Sequence, residues 1–189
     1  AEYSANIDAW VKVDDVCKGQ KAIKDKGKIY LPKPITFSDD EYKEYLDRAV
    51  FYGVTGRTHK SNVGQAFNKL PDFKRPDDLE YLERNSDGSG RSIYQNSQRA
   101  LDLIQRHYRC GIYVDYPQVA PSRSRAEDKQ KNAFPMIHVL NTKSVHDWDH
   151  IIVGNQKKLS FVKILESVAT RTADGFGRET KDQYRLLRL

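Results

Sequence analysis

Between His146 and His150 the chain reads His-Asp-Trp-Asp-His, its most metal-like grouping of donor side chains. Two histidines four residues apart share one face of a helix, and imidazoles so placed can hold zinc or the cation of a small nuclease, with Asp147 as a further donor. The β-rich run after Trp148 points instead to a polar turn entering a strand, where the imidazoles diverge and Trp148 plugs the core. His138 joins the set only if its own strand converges on that turn. The expectation is therefore no metal and no cofactor, with a metal-dependent nuclease at His146, Asp147 and His150 as the minor alternative.

Phosphate contact is the second chemistry on offer. Thirty-two Lys and Arg stand against twenty-six Asp and Glu, a net charge of +6. The charges are interspersed rather than blocked, so the balance permits nucleic acid without requiring it. Arg48, Arg57 and Lys60 lie on a central helical stretch, and Arg123 and Arg125 lie in a loop. Contacts through them would be to phosphates, independent of base sequence and steeply salt-dependent. The same side chains serve equally as subunit contacts or as a solvated face. A stand-alone basic nucleic-acid-binding domain follows from this charge balance as an alternative function.

Covalent catalysis finds no support. No Gly-x-Ser-x-Gly elbow surrounds a serine. The Asn85–Gly90 cluster lacks the Lys-Ser/Thr ending of a phosphate loop. Cys17 and Cys110 are too few for a disulfide framework or a thiolate zinc site, which favours folding in a reducing compartment, and the expectation is two buried free thiols. Arg109 beside Cys110 would lower that thiol's pKa slightly.

The elements that must position these residues are helical first and β-rich afterwards, an α+β order within one region, 1–110 mainly helical and 111–189 mainly β. Residues 5–18 carry a helical stripe of Ile7, Trp10, Val11, Val13 and Cys17, stopped by Gly19. The central stretch, Ser38–Leu70, reads as one long helix. Ser38 and Glu41 form a capping box, Tyr42, Leu46, Ala49, Gly53, Gly56, Val63, Phe67 and Leu70 form its stripe, and Pro71 ends it. Gly53, Gly56 and Gly64 each weaken that helix by about 1 kcal/mol relative to Ala, which points to close packing or a bend. A second long amphipathic helix starts at Ser92, with Gln95 closing its box, buries Ile93, Ser97, Ala100, Leu101, Ile104 and Tyr108, and ends at Gly111. Strands follow at residues 111–116, 134–140, 150–153 and 158–168, the last two joined by a Gly154-Asn155 turn. The last of these strands carries apolar residues on both parities and is expected to be buried on both faces. Residues 118–133 offer little to bury and read as a mobile loop, 171–182 as another, and the chain closes on a strand. No run of eighteen apolar residues is present to span a bilayer.

One ordered set goes further. Tyr30-Leu31-Pro32 precedes Tyr42-x-x-Tyr45-x-x-Arg48-Ala49-x-Phe51-Tyr52. Then come Thr55, Arg57-Thr58, Gly64-x-x-Phe67, Pro71, the Asp87–Gly90 loop, Gly111-Ile-x-Val-Asp-Tyr-Pro and Asp147-Trp148. From Tyr30 to about Val168 this set resembles the N-terminal part, the wing, of a tailed-bacteriophage portal protein, the head-to-tail connector. The resemblance implies a structural, non-enzymatic subunit of a dodecameric ring at one capsid vertex of the virion, assembled in the host cytoplasm. It implies as partners other copies of the chain, the major capsid protein and scaffold, the terminase motor, the neck proteins and, non-specifically, double-stranded DNA. Family members continue into stem and clip segments that have no counterpart here. A terminal strand with nothing after it agrees with a chain cut from something longer.

Overall fold

A computed structural model describes residues 2–117, 119 and 124–188. Its order is α+β: α1 (Glu2–Lys18), α2 (Gln20–Asp25), α3 (Asp39–Arg48), α4 (Val54–Ala66), α5 (Ile93–His107), β1 (Gly111–Asp115), α6 (Arg125–Gln130), β2 (Met136–Leu140), β3 (Val145–Val153), β4 (Gln156–Arg171) and β5 (Arg178–Arg188). Short 3₁₀ segments at Gly27–Ile29, Asp77–Glu83 and Thr142–Ser144 join them. β1 and β2 form an antiparallel pair, and β3-β4-β5 form a three-stranded antiparallel sheet.

The central stretch is two helices, not one. α3 stops at Arg48, Ala49 is extended, and Gly53 caps the start of α4. Val50, Phe51 and Tyr52, β-branched or aromatic, are poor helix formers. The backbone groups freed by the break are met by α2, where Lys24 Nζ donates to the Asp47 carbonyl at 2.7 Å and Gln20 Oε1 accepts from the Phe51 amide at 3.4 Å. Tyr42, Gly56 and Val63 are buried on either side of the break, whereas Leu70 is exposed.

Both capping boxes form: Ser38 with Glu41 on α3, Ser92 with Gln95 on α5. The buried face of α5, however, is Asn96, Leu103 and His107, while Ser97, Ile104 and Tyr108 point to solvent. The face is turned by about one residue, or 100°, because two polar side chains occupy the inside. Tyr108, in the left-handed region with φ 62°, ends the helix. Gly111 instead opens β1, where an added Cβ would lie 3.1 Å from Leu140 Cβ.

The expected loop at 118–133 contains α6, begun by Ser124, whose Oγ accepts from the Glu127 amide at 3.3 Å. Ala133 is buried behind it. The Gly154-Asn155 hairpin forms with Gly154 at φ 63°. β4 is buried or half-buried only from Ser160 to Glu166, so the expected two-faced burial holds for its middle and fails at both exposed ends. The loop after it is shorter than expected, 172–177, because β4 and β5 pair all the way out to Arg171 and Arg178.

The core is small for the chain. Trp10, Ile23, Tyr42, Val63, Leu82, Leu103, Ala133, Val139 and Ile164 are buried, and a larger number of large apolar side chains are exposed. The accessible surface is 13921 Å², against about 9,300 Å² expected for a folded monomer of 21.8 kDa.

Candidate functional site

The charged groups converge on α1. Asp14 is 5% exposed and accepts from Arg106 Nη1 at 2.7 Å, His107 Nε2 at 2.9 Å and Lys143 Nζ at 2.6 Å. Arg106 also bonds Asp102, and Asp102 Oδ1 bonds His59 Nε2 at 2.6 Å. The chain His59–Asp102–Arg106–Asp14, with His107 and Lys143 at its end, ties α4, α5, α1 and the turn before β3 together. Burial would raise the Asp14 carboxyl, but the bond from Lys143 and the His107 and Lys143 charges hold it below the usual range. Burial likewise dominates at His107, lowering its pKa and favouring the neutral ring despite Asp14.

The thiol nearest this network, Cys17, has its pKa raised by burial. Cys110 is raised too, so the expected lowering by Arg109 does not occur. Arg109 is engaged elsewhere: its guanidinium lies 4.5 Å from the Trp10 ring centre and 3.9 Å from that of Trp148, and Nη2 donates to the Val145 carbonyl at 3.3 Å. Both tryptophans of the chain thus clasp one arginine. No local pattern announces this clasp, because its three members lie on α1, after α5 and on β3.

His146–His150 lies within β3, not at a turn. His146 stacks on Tyr3, ring centres 4.4 Å apart, and its Nδ1 lies 3.4 Å from the Tyr184 hydroxyl. Register shifts flank it, between Val145 and Asp147 and between Asp149 and His150. Among the described residues no group of three or more His, Cys, Asp or Glu side chains could hold a metal. Trp148 is half-buried in the arginine clasp, so it is a partner in a stack more than a core plug. His138, on β2, pairs across the strands with Tyr113.

The basic candidates are dispersed. Arg48, at the end of α3, is exposed and reaches Glu44 at 3.9 Å. Arg57 is exposed on α4, 6.0 Å from the Tyr52 ring centre. Lys60 lines a shallow groove with Gly64 on α4 and with Gln95, Arg99 and Asp102 on α5. Arg123 lies outside the described residues, and Arg125 begins α6. Arg99, which sequence reasoning passed over, shares the Lys60 groove.

The three glycines separate. A Cβ on Gly56 would sit 2.5 Å from the Cys17 carbonyl oxygen, so this residue lets α4 pack against α1. Gly53 marks the break between α3 and α4, and Gly64 faces open space. The Asp87–Gly90 loop is a self-contained turn: Asp87 accepts from Ser89 N at 2.9 Å, Ser89 Oγ at 2.8 Å, Arg91 N at 3.3 Å and Arg91 Nη1 at 2.7 Å. Burial would raise its carboxyl, but these bonds bring it down to about 2. Of the amides a phosphate would use, those of Ser89 and Arg91 are bonded to Asp87, and that of Gly90 donates to Asn85 Oδ1 at 2.9 Å.

Among the described residues no helix is long and apolar enough to cross a membrane. No family model matches the chain, and no curated protein matches it in sequence.

Proposed function

We propose that the chain is a structural subunit of a viral DNA-packaging portal, its wing region, acting in a ring of identical copies around double-stranded DNA. The ordered set of residues from Tyr30 to Val168 carries this reading. The α+β order supports it, as does an accessible surface about half again that of a folded monomer of this mass. An ionic network centred on buried Asp14 that ties α1, α4, α5 and the turn before β3 together suits a load-bearing part. The exposed Arg48, Arg57 and Lys60 would meet phosphates weakly and without base preference, which lets DNA slide. The capsid, scaffold, terminase and neck proteins are the further partners of this reading, and the virion is its location.

Native mass spectrometry on the protein expressed from its complete reading frame tests it. A subunit heavier than 21.8 kDa assembling into a closed ring is the expected result. A monomer of 21.8 kDa would overturn the reading.

A further inference from the structure

The sheet of β3, β4 and β5 does not end together. β3 pairs with β4 from Val153↔Gln156 as far as Val145↔Ile164, and beyond Ile164 the β4–β5 ribbon continues alone to Arg171↔Arg178. Seven residues of strand carry the tip about 24 Å past the sheet. The tip is braced: Thr172 N donates to the Gly177 carbonyl at 3.1 Å, Gly175 N to the Thr172 carbonyl at 2.9 Å, and Asp174 Oδ1 accepts from Phe176 N at 3.1 Å. On this hydrogen-bonded turn Phe176 is 97% exposed. A phenyl ring presented so fully to water at the tip of a hydrogen-bonded turn is an anchor without its socket.

A socket of matching chemistry lies at the other end of the same ribbon. Gly111, Ile112, Leu140, Trp148, Leu159 and Ile164 line an apolar pocket of about 360 Å³, with Cys110 in its wall. Ile112 and Leu159 at its mouth are 63% and 47% exposed. The pocket cannot take its own Phe176, since Ile164 is one of its walls and the ribbon runs away from it.

We infer that the Phe176 tip of one copy seats in the pocket of the next, so that the β4–β5 ribbon is the arm by which copies join head to tail. The knob and the socket are different surfaces of one chain, so the contact is heterologous and repeats around a ring. The exposed area agrees: the surface exceeds that of a folded monomer by about 4,600 Å², the order that two obligate flanks of a ring subunit cover. The inference rests on the reading that copies of the chain associate, and it names the contact.

The test uses the protein from its complete reading frame, in a Cys17→Ala background, with Phe176→Cys at the tip. Diamide accepts two electrons and two protons as the introduced thiol and Cys110 of the neighbouring copy form a disulfide. The expected result is a ladder of linked chains on a non-reducing gel, absent when Cys110→Ala is added. Separately, Phe176→Ser should leave the circular dichroism unchanged and weaken assembly at least tenfold by native mass spectrometry. Assembly that survives Phe176→Ser and gives no ladder overturns the arm contact and leaves the ring reading standing. A ladder that stops at the dimer overturns the head-to-tail direction. Wild-type protein that stays monomeric at every concentration overturns both.

Discussion

Arg109 between Trp10 and Trp148 offers the sharpest test at the scale of single residues. Each stacked face is worth about 0.5–2 kcal/mol, more where water is excluded. Arg109→Ala is expected to lower stability by about 1–3 kcal/mol, with a change in tryptophan emission that reports this place alone, since both indoles of the chain touch it. Unchanged emission would refute the clasp. Asp87 gives the acid-side prediction. Its folded pKa, about 2, lies below the value of about 3.9 in an unfolded chain, so its contribution is complete above pH 4 and is lost as pH falls from 4 to 2. That contribution is about 1–2 kcal/mol. Urea midpoints of Asp87→Asn should fall below wild type at pH 7 and meet it near pH 2. Neither role is legible in the sequence. Asp87 sits in a loop legible only as a turn cluster, and in the sequence Arg109 is simply a neighbour of Cys110, because its aromatic partners lie far away in the chain.

Helix starts were readable and helix interiors were less so. A capping box needs only residues three apart, so Ser38 with Glu41 and Ser92 with Gln95 were visible locally, and Ser124 with Glu127 carries the same signature at α6. The break after Arg48 depends on Lys24 and Gln20, more than twenty residues upstream, and the rotated face of α5 depends on Asp14, Ser86 and the Ile137 carbonyl, which partner His107 and Asn96. Periodicity of apolar residues contains none of this. The glycines of α4 make the difference between local and tertiary effects measurable. Gly64→Ala meets nothing within 4 Å and should stabilise by about 0.4–1 kcal/mol. Gly56→Ala should destabilise by about 1–3 kcal/mol despite alanine's better propensity, because its Cβ meets the Cys17 carbonyl. Urea midpoints of the two variants moving in the same direction would refute the close approach of α4 to α1.

Across the whole molecule, the α+β class was legible because composition changes near residue 110, from helical stripes to alternating strands. The metal alternative depended on whether His146–His150 was a helix, and β3 instead leaves His146 between Tyr3 and Tyr184. For DNA, Arg57→Ala with Lys60→Ala should reduce the slope of log affinity against log salt by up to about 2, uniformly across duplex sequences. An unchanged slope in fluorescence anisotropy would remove those residues from any phosphate path. The ionic network around Asp14 also bears on synthesis. The ion-pair partners of Asp14 lie far downstream: Arg106, His107 and Lys143 follow it by 92, 93 and 129 residues. At 5–20 residues per second the ribosome needs roughly 6–26 s to supply the last of them, so Asp14 meets water through that interval while α1 already has α2 and α4 to pack against. The carboxylate is thus made long before the charges that surround it, and its burial is a late event of folding rather than one that can accompany the synthesis of α1.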